Sequence, residues 1–185
     1  MRSMERTKEE NKRLCDRYPF LIPWNRFSGM RITEAQNGGY WPGKPDEIPE
    51  YDYEYTEADD MPDGWWYAFG EKMCEEIREA LIEDGDLDGY RVLQIKEKYG
   101  GLRWYDNGVR EGSRVHDIIN RYANESEWTC IVCGKPATRI TLGWISPFCD
   151  DCCLNCGNGR SMAIEEYYGE DEKNGEDSTG SRVDG

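Results

Sequence analysis

Two stretches of the chain place apolar side chains at three- and four-residue steps. In the first, Trp66, Phe69, Met73, Ile77 and Leu81 line one face of a predicted helix. Asp60 can cap its start, Pro62 is tolerated in its first turn, and "EDGDLDG" ends it. In the second, Val115, Ile118, Ile119 and Tyr122 share a face of a helix running from about Ser113, its cap, to Asn124. A shorter helix precedes both. Thr7 and Glu10 form the capping-box pattern T-x-x-E, and that helix stops before Pro19.

Between the two amphipathic helices the period changes to two. In "YRVLQIKEKYGGLRWYDNG", Val92, Gln94 and Lys96 alternate with Leu93 and Ile95. Gly100–Gly101 permits positive φ, and Leu102 to Tyr105 alternates again, which is the pattern of a β-hairpin. Residues 18–43 mix aromatics with Pro and Gly and read as an irregular segment packed through Phe20, Leu21, Trp24 and Phe27. Residues 44–60 are acidic and Tyr-rich, with two prolines, and read as a surface loop. The polar, Gly-rich end of the chain is expected to be disordered from about Gly169.

These elements predict an α+β fold, with helices packed on a small antiparallel hairpin sheet. Aromatic residues make up 12% of the chain, so a core can be built from few aliphatic side chains. No run of 18 apolar residues exists, and the first residues carry no apolar stretch behind their charges. A reducing cytosol is therefore the expected compartment. There, spaced cysteines are more often metal ligands than disulfides.

The stretch "CIVCGKPATRITLGWISPFCDDCC" changes the picture. Cys130 and Cys133 form C-x2-C, followed by Gly134, and Cys149 and Cys152 form a second C-x2-C after 15 intervening residues. Doublets at this separation predict a zinc site. Two intervening residues let one tight turn aim two thiolates at one ion, and "TRITLGWISPF" can form the hairpin that brings the turns together. Cys153 and Cys156 form a rival doublet, with 19 residues intervening after Cys133. Six sulfurs cannot all ligate one tetrahedral zinc. Phe148 and Ile145 give a strand leading into the Cys149 turn, which favours Cys149 and Cys152, although a mixed set with Cys153 stays open. The expected divisions are an α+β core over 1–126 with an acidic loop over 44–63, a four-Cys module over 127–157 of zinc-ribbon or treble-clef type, and an acidic tail over 158–185.

Charge narrows the choice of partner. The net charge is −15, and it is unevenly spread: +4 over residues 1–31, −15 over 32–90, +3 over 91–121 and −7 over 122–185. A polyanion is repelled by the chain as a whole. Only the first segment and the hairpin segment could face one. In the hairpin, Lys96, Lys98 and Arg103 are interleaved with Tyr99, Trp104 and Tyr105, a combination that can hold phosphates and stack bases. Alternation in a packed sheet already explains the same pattern. "DGDLDG" imitates the start of a calcium loop, but its twelfth position is Ile95, where a bidentate Glu is needed. His116 is the sole histidine and reads as a residue on the polar side of its helix.

"IKEKYGGLRWY", then a helix, then "C-x2-CG…GW…FC-x2-C" resembles a recurring protein type of bacteria and their phages. The residues that carry the resemblance are Lys96 to Lys98, Gly100 to Arg103 and Tyr105, then Cys130, Cys133, Gly134, Gly143, Trp144, Cys149 and Cys152. It spans roughly residues 65–153 in element order. It implies Cys149 and Cys152 as the far ligands and a phage or prophage origin, and it brings no activity with it.

The expected function is that of a non-enzymatic zinc-binding accessory protein that contacts another protein through its acidic surface. The alternative is a nucleic-acid-binding regulator using the hairpin (Lys96, Lys98, Arg103 and Trp104) and the zinc module. A second alternative is an enzyme with a carboxylate site in the acidic segment.

Overall fold

The computed structural model describes residues 6–24, 51–156 and 159–169, with the side chain of Cys156 outside that set. The contact expected of Phe27, the acidic residues 44–50 and the tail beyond 169 lie outside the described residues.

Thr7 caps α1 (Lys8–Arg17) through the capping box that its sequence predicts. Its Oγ1 accepts the Glu10 N–H (3.2 Å), and its own N–H donates to Glu10 Oε2 (2.8 Å). A 3-10 turn, Pro19–Leu21, follows and buries Phe20 and Leu21.

The central helical stretch has three parts: α2 (Asp63–Trp65), a π turn (Trp66–Gly70) and α3 (Glu71–Asp84). It starts at Asp63, because Glu57–Asp60 forms a separate 3-10 turn. Its buried stripe is Trp65, Phe69, Met73, Ile77 and Leu81, at steps of four. The expected stripe began on Trp66 instead. The π turn is the cause: one wider turn shifts the face before it by one residue. Gly70 makes room for this, since a Cβ there would lie 2.5 Å from the Trp66 ring. The Arg6 guanidinium sits 4.3 Å from the centroid of that ring. Gly85, at φ 76°, ends α3. The Gly85 N–H bonds Ile82 O and the Asp86 N–H bonds Leu81 O, which satisfies two of the last carbonyls.

β1 (Arg91–Lys98) and β2 (Gly101–Asn107) form the expected antiparallel hairpin. The turn residues are Tyr99 (φ 54°) and Gly100 (φ 78°), a pair in the left-handed region as a type I′ turn requires. Gly101, read from sequence as part of the turn, opens β2. The register slips between Val92 and Gln94, where Leu93 bulges. That extra residue brings Val92 and Ile95 to the same buried face, with Leu102 and Trp104; strict alternation would have separated them. Pairing puts Gln94, Lys96, Lys98, Arg103 and Tyr105 on the other face.

α4 (Val115–Glu127) buries Val115, Ile118, Ile119 and Tyr122 as its periodicity predicts, and the Val115 N–H bonds Ser113 Oγ at 3.2 Å. Tyr122 stacks on Phe69 with centroids 5.2 Å apart. At the far end of α4, Ser126 Oγ accepts the Leu102 N–H (2.8 Å), tying the helix to the open edge of β2.

Residues 51–63 depart from the solvated loop expected of them. Tyr51, Thr56, Glu57, Ala58 and Met61 are buried, and three of the carboxylates are taken up in ion pairs. Lys8 holds Asp52 (3.0 Å) and Glu54, and Arg6 holds Asp59 (2.6 Å). An acidic stretch can pack when its charges meet cations at and just before the start of a neighbouring helix.

Candidate metal centre

The four-cysteine module is built from a turn, a hairpin and a helix start. Cys130 and Cys133 lie at the tip of a narrow turn. The Cys130 N–H bonds Lys135 O (2.8 Å), the Gly134 N–H bonds Cys130 O (3.0 Å), and the Ala137 N–H bonds Trp128 O (2.8 Å). Gly134 has φ 75°, as its place after the second sulfur predicts. β3 (Arg139–Thr141) then pairs with β4 (Pro147–Phe148), which delivers the chain to Cys149. The connecting loop is braced by Thr141, whose Oγ1 donates to Trp144 O (2.7 Å) and accepts the Ser146 N–H (3.1 Å). Cys149 sits at the entrance to α5 (Asp150–Cys156), its carbonyl accepting the Cys153 N–H at 2.9 Å. Cys152 lies one turn into that helix. A second doublet held by a helix start makes the module treble-clef-like rather than ribbon-like.

The ligand atoms of Cys130, Cys133, Cys149 and Cys152 all lie within 4.8 Å of one another. Cys133 Sγ and Cys149 Sγ are 3.6 Å apart. A tetrahedron with Zn–S bonds of about 2.3 Å has its sulfurs about 3.8 Å apart, so the cluster fits a four-sulfur metal centre. Cys153, one residue further along α5, packs against the main core. Among the described residues no other group of three or more His, Cys, Asp or Glu side chains converges in this way.

The electrostatics of the cluster point the same way. Burial works against ionising Cys130, but the backbone N–H groups of Cys149, Cys133 and Val132 face its sulfur and bring its pKa below that of an ordinary thiol. Cys152 is pushed up, by burial first and then by the neighbouring sulfurs. Cys133 is also raised, chiefly by burial. Charging all four sulfurs in so small a space is opposed first by burial and then by their mutual repulsion. A divalent cation at the centre removes that conflict.

The module is packed onto the core, and two glycines make the contact. The Gly64 N–H bonds Ile131 O (3.0 Å), and Trp65 Nε1 donates to Thr129 O (3.0 Å). A Cβ on Gly64 would lie 2.2 Å from Cys130 O, and one on Gly134 would lie 2.6 Å from Gly64 O. Ile131 and Phe148 belong to the main hydrophobic core. Trp128 and Trp144 stay at the surface: Trp128 is 44% exposed, with its ring 5.1 Å from that of Tyr168, and Trp144 is 80% exposed. Residues 161–164 also pack on the module. β5 (Ser161–Ala163) pairs with β3, giving a three-stranded sheet in the order β4-β3-β5, and Ile164 is buried beside Ile140.

The other candidate residues are dispersed. Lys96, Lys98 and Arg103 share the outer hairpin face, but Trp104 lies on the opposite one, 7% exposed, its indole N–H donating to Tyr90 Oη at 2.9 Å. It therefore does not join those three as a contact residue. His116 is exposed on α4, with Nε2 3.4 Å from Asp106 Oδ1, and burial raises the pKa of Asp106. Asp84 and Asp86, from the calcium-like stretch, face Arg110 at 2.5 and 3.7 Å. No helix of the described residues is long and apolar enough to cross a membrane.

No family model, curated protein or solved structure matches this chain.

Proposed function

We propose that this is a non-enzymatic zinc-binding accessory protein whose metal is structural and whose work is to contact another macromolecule. The convergence of four cysteine sulfurs, with no carboxylate or imidazole among them, carries this reading. Soft thiolates in a tetrahedral set select zinc or an iron–sulfur centre. With all four positions occupied by protein, the ion offers no place for water or substrate, so it holds the fold and does no chemistry. What it holds is specific: the turn at Cys130–Cys133, which is seated on α2, together with the β3–β4 hairpin and α5.

The acidic side of the molecule suits a basic protein surface, and complementary charge would speed the encounter. A second reading, contact with nucleic acid, is favoured by the basic outer face of the hairpin, where Lys96, Lys98 and Arg103 lie together. The zinc reading is tested by chelation. Removing the metal from the purified protein should melt the module, read as loss of near-ultraviolet dichroism from Trp65 and Trp128, and added zinc should restore it. A protein that holds iron, or one whose fold is indifferent to chelation, would contradict it.

A further inference from the structure

We propose that the cleft between the hairpin turn and the β3–β4 loop is a stacking site for an unpaired base of single-stranded nucleic acid, and that the adjoining outer face of the hairpin holds the phosphates. The cleft has a volume of about 230 Å³ and is lined by Glu97, Lys98, Tyr99, Gly143, Trp144 and Ile145. Sites for drug-sized ligands run from about 300 Å³ upward, so this one is matched to a single flat ring system.

Two rings flank it that the fold does not use. Tyr99 is 70% exposed and Trp144 is 80% exposed. Tyr99 also occupies a turn position at φ 54°, where Asn or Gly is favoured and a bulky side chain is strained. The backbone thus holds an aromatic ring at the hairpin tip against its own preference. Strain of this kind, without a packing reason, marks a working surface.

The charges beside the cleft are unspent. Several cations elsewhere among the described residues are neutralised: Arg6, Arg17, Arg110 and Arg121 each pair with a carboxylate. Among the described residues Lys96, Lys98 and Arg103 make no such pair. Lys96 bonds Gln94 Oε1 (2.8 Å) and lies 5.0 Å from the Tyr105 ring centre, Lys98 lies 5.2 Å from that of Tyr99, and Arg103 bonds the Leu102 carbonyl (3.0 Å). The carboxylate in the cleft, Glu97, accepts the Gly100 N–H at 2.7 Å and so serves the turn. Lys98 belongs to both surfaces, which makes cleft and basic face continuous. A single strand offers bases with free faces and phosphates at short intervals; a duplex hides its faces. The net charge of −15 opposes a polyanion at long range, but beyond about 8 Å it is screened at physiological salt.

The inference goes beyond the accessory-protein reading, and it uses the zinc module only as the support of Trp144. The test is fluorescence anisotropy of a labelled oligothymidylate of about 12 nucleotides with the full, zinc-loaded chain, zinc content being measured on the same samples. Binding should weaken with salt at a log–log slope of about −2, for three cations on a single strand. Trp144→Ala and Tyr99→Gly should each weaken it roughly 5- to 150-fold. Tyr99→Gly relieves the turn, so its urea midpoint should not fall, which separates a lost contact from a lost fold. Replacing Lys96, Lys98 and Arg103 together by Glu should eliminate binding. The proposal is overturned if zinc-loaded protein fails to bind at about 50 mM salt, if the two ring variants bind like wild type, or if duplex DNA or polyglutamate binds as tightly as the single strand. A folded, zinc-free protein that binds with the expected variant pattern would support this site and sink the zinc reading instead.

Discussion

Gly64→Ala tests the docking of the metal module on the core. The added methyl would lie 2.2 Å from Cys130 O, 2.6 Å from Ile131 C and 2.8 Å from Gly134 N. All three are backbone atoms within or beside the Cys130–Cys133 turn, so no flexible side chain can give way. Overpacking of this kind costs about 1–3 kcal/mol. The Gly64 N–H bond to Ile131 O, at 3.0 Å, is strained with it, for about 1 kcal/mol more. Opposing both is the gain of Ala over Gly in a helix, up to about 1 kcal/mol. The net loss is about 1–3 kcal/mol, which with a urea slope of about 2 kcal/mol per molar moves the midpoint down by roughly 1 M. Zinc should also bind more weakly, because the turn that carries two ligands is the part displaced. Gly85→Ala is the control. It sits at φ 76° with nothing within 4 Å of a Cβ, so it should cost about 1–2 kcal/mol through the backbone alone and leave zinc affinity unchanged. A Gly64→Ala protein with an unchanged or raised midpoint and wild-type zinc affinity would refute the docking account.

Three further outcomes are expected. Single Ser substitutions at Cys130, Cys133, Cys149 or Cys152 should release zinc, while Cys153→Ser and Cys156→Ser should retain it, as metal analysis of each purified variant would show. Glu76 is buried enough to raise its pKa, but Tyr122 Oη (2.8 Å) and Arg121 outweigh burial and lower it. Its contribution is therefore complete above the unfolded value near pH 4.5 and is lost as the pH falls through the lower folded one; Glu76→Gln should cost about 1 kcal/mol at neutral pH and flatten the acid limb of a stability–pH curve. Thr7→Ala should remove the cap of α1 and lower stability by about 1 kcal/mol in a denaturant titration, with zinc content unaffected.

Much of the local structure was legible because local physics sets it. The capping box at Thr7, the Gly85 helix end, the α4 stripe and the turn chemistry around Gly134 each depend on a few neighbouring residues. The same is true of the cysteine doublets, whose spacing alone predicts that four sulfurs meet at one point. What was not legible depends on contacts distant in sequence. The π turn that exchanges Trp66 for Trp65 is accommodated by the small side of Gly70. The bulge at Leu93 follows from which face of the hairpin meets the helices. Gly64 gives no local sign that a turn more than sixty residues away rests on it. The acidic run 51–63 read as solvated because its partners, Arg6 and Lys8, lie on another element. Tyr99 and Trp144 were each visible as aromatic residues, but only folding brings the two loop tips to one cleft.

Four cysteine sulfurs, and nothing else, are expected to hold one zinc ion. Zinc-edge X-ray absorption of the purified protein counts those ligands directly. The expected result is one zinc per chain with a single shell of four sulfurs at about 2.3 Å. A shell containing nitrogen or oxygen, a sulfur count below four, or folded protein with no bound metal would contradict it.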